Sequence, residues 1–355
     1  MAGVDSPGPH QIYRRPWLTV EARSLGPVPA GHVRVEVKLV GICGTDVHAI
    51  QCDPTTGYIV GSAPLEIGPE GRILGHEGIG RVREIGSGVA GVRHGDWVAF
   101  DSLLTCHRCE ACRRGHFNQC ASTVLMGMQR DGLFAEVADV PAELLHDVND
   151  LAASEAGRRA AACIEPAACS LVALSLARLR PGEHVLIFGA GPLGVFAAML
   201  ARLACGAASV EMVEPLPFRR NFARQWADRV SDVEEFFAEP GWIPAHVLIE
   251  TSGKLGNVDR ALGRLRPNGR IVLLARSGAQ LTLSRVDHVI TSGLSITGSR
   301  GHLGGAVGDL LRLYRSGRLP THEVVTGAVH GLSGLKRALE DRTAATRHCK
   351  VLAHL

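Results

Sequence analysis

Charge of one sign is scarce in this chain: 38 Lys and Arg stand against 35 Asp and Glu, a formal net charge of +3 over 355 residues. Arginine far outnumbers lysine, yet basic runs stop at doublets such as Arg113-Arg114 and Arg219-Arg220, and aromatics make up only 5%. A nucleic-acid surface, which needs a basic face interleaved with rings, is therefore not expected. Long apolar runs are missing as well. Residues 1–17 scatter Pro, Asp and His where a secretory leader would be continuously apolar. The most apolar region, 185–210, is broken by Pro192, Arg202 and several Gly, which argues against a membrane span. The expectation is a cytoplasmic chain without export. No internal repeat, low-complexity tract or disordered linker is visible either, which sets aside solenoid and fibrous readings.

What remains is a globular composition, 46% hydrophobic and 21% charged, with 42 Gly for tight turns. The length suggests two domains. From about residue 33 to 140 short β-rich runs, such as Val33-Arg34-Val35-Glu36-Val37 and Trp97-Val98-Ala99-Phe100, alternate with Gly and Pro, predicting a compact β domain with functional loops. From about 180 to 300 apolar strands alternate with helix-length segments. Strands are expected at 184–188, 209–213, 245–249 and 270–275, the last after a turn at Pro267-Asn268-Gly269, with a helix running from the first strand to Cys205. That rhythm predicts a doubly wound parallel sheet, hence an α/β chain. An amphipathic helix at 306–315 and a strand at 348–353 follow.

Ten cysteines in a reducing compartment point to metal or chemistry before disulfides. Cys106, Cys109, Cys112 and Cys120 are spaced C-x2-C-x2-C-x7-C, close enough to close around one tetrahedral Zn²⁺. Neighbours so near in sequence make poor disulfides. A four-thiolate site has no open position, so this metal is expected to hold a lobe and do no chemistry.

A second cluster is dispersed. Gly41-Ile42-Cys43-Gly44-Thr45-Asp46-Val47-His48 puts a thiol, a hydroxyl, a carboxylate and an imidazole within six residues after a strand, and Gly75-His76-Glu77-x2-Gly80-x5-Gly86-x2-Val89 follows. Singly, each residue has an ordinary explanation: Cys43 as core filling, His76 as a satisfied imidazole, Thr45 as a helix-capping hydroxyl, His48 as an exposed helix residue. Together with the cysteine loop and the nucleotide motif described below, they resemble the zinc-containing medium-chain alcohol dehydrogenase superfamily. The resemblance extends over nearly the whole chain and is nearest to the polyol and sorbitol dehydrogenase-like branch.

That resemblance implies a GroES-like catalytic domain at 1–166 and 301–355 carrying both zinc sites, and a Rossmann domain at 167–300. It implies that Cys43 and His76 bind a catalytic zinc, with Glu77 or Glu165 of Ile164-Glu165-Pro166 competing for the third position. It further implies that Thr45 is the relay hydroxyl and that His48 passes the proton to solvent. An open fourth position would let Zn²⁺ act as a Lewis acid on a substrate hydroxyl. One departure is the long Pro- and Gly-rich segment from Cys52 to Arg72, which in such a fold borders the substrate cleft and leaves the substrate open.

Gly189-Ala190-Gly191-Pro192-Leu193-Gly194 follows an expected strand and opens an expected helix, the context in which G-x-G-x-x-G cradles a pyrophosphate. Glu214, 20 residues past Gly194, can accept hydrogen bonds from the adenosine ribose and would repel a 2′-phosphate, which favours NAD over NADP. Arg219 and Arg220 weigh the other way, unless they are solvated residues of the next helix. Backbone contacts to a nicotinamide are expected from 250–253 and 274–277. Arg300, Phe117 and Tyr58 are candidates to line a hydroxyl-rich pocket.

The expected reaction is reversible oxidation of a secondary alcohol, of polyol, cyclitol or sugar type, by hydride transfer. The rivals are a metal-free NADPH reductase of enones or quinones from the same superfamily and a zinc-stabilised binding protein without catalysis. The resemblance also implies a homodimer or homotetramer, with 290–299 at a sheet edge.

Overall fold

The computed structural model of the chain describes residues 2–3, 6–7, 13–59, 64–239, 242–302, 305–341 and 343–355. Two compact units emerge: Met1–Glu165 with Thr321–Arg342 and Lys350–Leu355, and Pro166–Pro320 with Thr343–Cys349.

In the first unit the strand His32–Gly41 is the organising element. Its valines 33, 35 and 37 are fully buried and recur every second residue, so one face of the strand enters the core. It pairs antiparallel with Gly78–Ile85, Val137–Pro141 and Lys350–His354. The sheet continues through Trp97–Phe100 to Leu145–Asp147 on one side and through the parallel partner Val325–His330 on the other. Val82, Val98, Phe100, Val140 and Leu335 close the core around it. Burying each of these side chains is worth about 1.5–3 kcal/mol.

The segment from Cys52 to Arg72 is tied down wherever it is described; 60–63 lie outside the described residues. Asp53 accepts from the backbone N–H groups of Thr55 and Thr56 and from the Thr56 hydroxyl, closing a turn. Leu65 and Ile67 are buried with Tyr13, Ala49, Leu74 and Met128, and the Ile67 N–H donates to the Tyr13 hydroxyl at 2.7 Å. A small separate core thus anchors this insertion.

The second unit holds six parallel strands in the spatial order Arg229–Ser231, Ser209–Val213, His184–Phe188, Ala245–Glu250, Leu265–Leu273, Ser295–Gly298. Counted along the chain this is the 3-2-1-4-5-6 order of a dinucleotide-binding sheet. Val185 to Phe188 are all buried, as a central strand covered on both faces requires. The helix Pro192–Leu203 follows with proline in its first turn, where a missing N–H costs nothing.

Three expectations need adjustment. The strand expected at 270–275 is Leu265–Leu273, because the Pro267-Asn268-Gly269 turn becomes an irregularity inside it: Asn268 takes φ 61°, and the register moves from Ala245↔Leu265 to Val247↔Arg270. The last strand is Lys350–His354, starting two residues and ending one residue later than expected. Residues 301–320 and 343–349 group with the parallel sheet and not with the β domain: the helix Ala306–Arg315 belongs to the second unit, and the short helix Ala344–Arg347 packs on Pro217–Ala223. Among the described residues no single helix is long and apolar enough to cross a membrane, and all ten cysteines are free thiols.

Candidate metal and nucleotide sites

Cys106, Cys109, Cys112 and Cys120 converge, with all four sulfurs within 4.8 Å of one another. Local backbone does this. The short helix Glu110–Arg113 starts directly after Cys109 and carries Cys112, and the Cys109 and Cys106 N–H groups point at the sulfurs of Cys106 and Cys120, each at 3.3 Å. Backbone N–H groups of Cys112 and Ala121 pull the Cys109 thiol down to about 6, whereas burial and the neighbouring Cys109 push Cys112 up to about 12. Four thiols at this distance cannot all ionise without a cation among them, so the lobe has the chemistry of a closed Zn²⁺ cage.

Cys43, His76 and Glu77 form the second cluster, their donor atoms again within 4.8 Å of one another. Cys43 caps the helix Gly44–Ile50. Asp46, third residue of that helix, turns its carboxylate back to accept from the Cys43 N–H at 3.1 Å, from the Gly75 N–H at 3.2 Å, and lies 3.5 Å from His76 Nδ1. One carboxylate therefore fixes the loop that carries the thiol and the loop that carries the imidazole. Gly75 itself is required: its φ is +91°, and a Cβ there would run into the Phe134 ring.

The electrostatics of this cluster are those of a site built for a cation. Burial and the adjacent Glu77 carboxylate raise the Cys43 thiol above its ordinary range. Burial opposes a charge on His76, but Asp46 and Cys43 outweigh it and raise the imidazole. Glu77 is fully buried; one of its oxygens is held by the Lys350 ammonium, and the other, Oε1, is buried without a hydrogen-bond partner among the described residues. A thiolate, an imidazole and a carboxylate with an unpartnered oxygen suit Zn²⁺ with one position open.

Glu165, the rival of Glu77, is not in this cluster: its Oε1 accepts from the Ser102 hydroxyl at 2.7 Å in a buried contact. Thr45 is half-buried with its hydroxyl 3.6 Å from the Cys43 sulfur, and His48 is exposed one turn further along, its Nδ1 3.2 Å from Gln51 Oε1. Two expected pocket residues are engaged elsewhere. Phe117 packs against His107 in the cysteine lobe, ring centroids 5.6 Å apart, and the exposed Tyr58 lies under the Arg14 guanidinium. Arg300 is half-buried in the second unit beside Arg276. Asp46, Ser102 and Lys350 were not singled out from the sequence. The three-residue step from Cys43 to Asp46 is a capping signal that could have found the first; nothing local marks the other two.

In the second unit Gly189 takes φ +97°, and a Cβ on Gly194 would collide with the Gly189 carbonyl oxygen, so the turn itself dictates the first and third glycines of Gly-x-Gly-x-x-Gly. Leu193 and Pro192 form the first turn of the helix, and the Leu193 carbonyl accepts from Ser170. Glu214 stands at the end of the next strand with both carboxylate oxygens occupied by backbone, Ala190 N–H at 2.7 Å and Leu216 N–H at 3.0 Å. It thus ties the glycine loop to its own strand. Arg219 and Arg220 are not freely solvated. The helix Pro217–Ala223 turns Arg220 back onto the carbonyls of Glu214 and Pro215, and brings the Arg219 guanidinium beside Gly191 with its Nε buried. Thr251 donates to the carbonyls of Phe188 and Gly189, joining the 250–253 turn to the same loop.

Comparison with known proteins agrees with this architecture. Residues 29–150 match the family described as the alcohol dehydrogenase GroES-like domain. The chain is 33% identical to L-threonine 3-dehydrogenase of Pyrococcus horikoshii, over 87% of each chain. It is 32% identical to L-galactonate-5-dehydrogenase of Escherichia coli K12, over 73% of each. Among solved structures, an alcohol dehydrogenase of Escherichia coli CFT073 complexed with NADH superposes with a TM-score of 0.81 at 25% identity, covering 94% of both chains. With a GroES-like sheet, a 3-2-1-4-5-6 parallel sheet and relatives of this identity along most of its length, the chain belongs to the zinc-containing medium-chain alcohol dehydrogenase superfamily, beside the polyol and threonine dehydrogenases, and is an oxidoreductase of that family.

Proposed function

We propose that the chain is a dehydrogenase that reversibly oxidises a secondary alcohol of polyol, cyclitol or sugar type to the ketone, using NAD in preference to NADP and two zinc ions per chain. The observation that carries this reading is the convergence of Cys43, His76 and Glu77, with Glu77 Oε1 buried and unpartnered. In the proposal these three residues hold a catalytic zinc, Cys106, Cys109, Cys112 and Cys120 hold a structural one, and the second unit holds the nucleotide at 189–194. When bound, zinc supplies Lewis acidity toward the substrate hydroxyl and the nicotinamide supplies the hydride acceptor.

The chain's own groups account for the proton. Thr45 stands in the first turn of the Cys43 helix, where its hydroxyl can relay the substrate proton, releasing its own proton toward water as the substrate's arrives. His48, three residues on, shares that helix face and reaches water. Gln51 orients its ring. Asp46, 3.5 Å from His76 Nδ1, orients the imidazole. Glu165, engaged by Ser102, is assigned no ligand role.

NAD is favoured in this reading because Glu214 follows the strand after the glycine loop, as an acid that binds the adenosine ribose does, and each of its backbone-held oxygens keeps a lone pair for a ribose hydroxyl. Arg219 beside Gly191 is read as a partner of the pyrophosphate. The substrate class draws on the relatives, whose names specify position 3 of L-threonine and position 5 of L-galactonate. A homo-oligomer is read from the edge strand Ser295–Gly298 and from Val286 and Ile290, exposed one turn apart on the adjacent helix. Ten free thiols favour the cytoplasm.

A panel of polyols, cyclitols, sugars, sugar acids and 3-hydroxy amino acids, assayed for NADH and NADPH production, tests the reading. Turnover of a secondary alcohol with NAD preferred is expected. Turnover confined to enones or quinones with NADPH, insensitive to chelators, would overturn it.

A further inference from the structure

Lysine is rare here. Only four occur in 355 residues, and one of them, Lys350, is 2% exposed. A buried ammonium is costly unless its charge is met, and this one is met with care. Its Nζ pairs with Glu77 Oε2 and donates to the Ile42 carbonyl at 3.0 Å. Gly41 makes the room: a Cβ there would meet Glu77 Oε2 and the Lys350 side chain.

The two Glu77 oxygens therefore have different fates. Oε2 is claimed by Lys350, while Oε1 is left buried and unpartnered among the described residues, on a carboxylate that lies within donor distance of Cys43 and His76. We infer that Lys350 is a positioning residue of the Cys43–His76–Glu77 site: by clamping one carboxylate oxygen it leaves the other to serve as the third metal donor. This rests on the reading of that cluster as a metal site. Charge counting agrees. Thiolate and carboxylate neutralise a divalent cation, and the ammonium then balances the buried Asp46 carboxylate.

The test uses full-length protein loaded with zinc or with cobalt(II), whose thiolate charge-transfer and ligand-field bands report the donor set. Metal at the Cys43 site is titrated against a chelator, with the cysteine lobe as internal reference. Lys350→Met and Glu77→Gln are each expected to weaken metal at this site by about 10–100-fold and to change the cobalt spectrum alike, leaving the lobe loaded. The double variant is expected to lose no more than either single, because both remove the same interaction. Should Lys350→Met fail to fold, Lys350→Met with Glu77→Leu restores an apolar pair, and the same weakening is expected there.

Wild-type affinity and spectrum in Lys350→Met, additive losses in the double variant, or wild-type affinity in the apolar pair would overturn the inference. So would loss of this metal in Glu165→Gln but not in Glu77→Gln. A wild-type chain that binds metal only at the cysteine lobe refutes the metal reading itself, which is a different result from a second metal that ignores Lys350.

Discussion

The two donor clusters are alike in size and opposite in construction. The cysteine lobe gathers four like donors from 15 consecutive residues, and backbone N–H groups of its own loop aim at the sulfurs. The Cys43 cluster gathers three unlike donors from two segments, fixes them with a carboxylate, Asp46, and meets its excess charge with a lysine more than 270 residues away. The first is complete in itself and chemically closed. The second is held from outside its donors, offers three of them rather than four, and has a hydroxyl and an imidazole on the adjoining helix. A closed cage needs only spacing, whereas an open site needs a fold around it.

Breaking the lobe should have the largest effect on the folded state. Closed zinc sites contribute on the order of 10 kcal/mol of apparent folding energy in small domains. Cys112→Ser is expected to unfold the lobe locally, seen as new protease cleavage between 103 and 125 and the loss of one metal. Intact resistance to protease would show that the lobe does not depend on its four thiols.

Breaking the open site should leave the fold and remove the chemistry. Cys43→Ala is expected to lower kcat/KM by roughly 10³-fold or more, several kcal/mol of transition-state stabilisation, with little change in thermal midpoint. A variant that keeps wild-type turnover would mean that Cys43 is core filling. Thr45→Ala sharpens the contrast: loss of the relay hydroxyl is expected to cost on the order of 10²-fold in kcat with metal content unchanged, and lost metal with unchanged kcat would contradict the relay.

Asp46→Asn is the subtlest of these changes. It keeps the shape of the capping group but weakens its hold on His76, and about a 10–100-fold loss of metal affinity or activity is expected at the Cys43 site alone. Equal weakening of the cysteine lobe would indicate a general loss of structure.

The same contrast explains what could be read in the sequence. The strands at 184–188 and 209–213 and the glycine loop after the first were legible because a buried parallel strand, its turn and its helix start are all local signals. The cysteine lobe was legible for the same reason. The choice between Glu77 and Glu165 was not: both follow motif-like neighbours, and only the fold brings Glu77 beside Cys43 while Ser102 engages Glu165. Lys350 was invisible because its partner is distant along the chain. The helix 306–315 was predicted to the residue but placed with the wrong unit, since amphipathic spacing says that a helix buries one face and not against what. Phe117 and Tyr58, offered as pocket residues, each have a local ring partner, His107 or Arg14, that spacing did not reveal.

The central claim is that one chain carries two metal sites of different kind, and metal analysis of purified protein tests it most directly. Two zinc ions per chain are expected, one lost in Cys43→Ala and the other in Cys106→Ala. A single zinc that survives Cys43→Ala and disappears in Cys106→Ala would contradict the account.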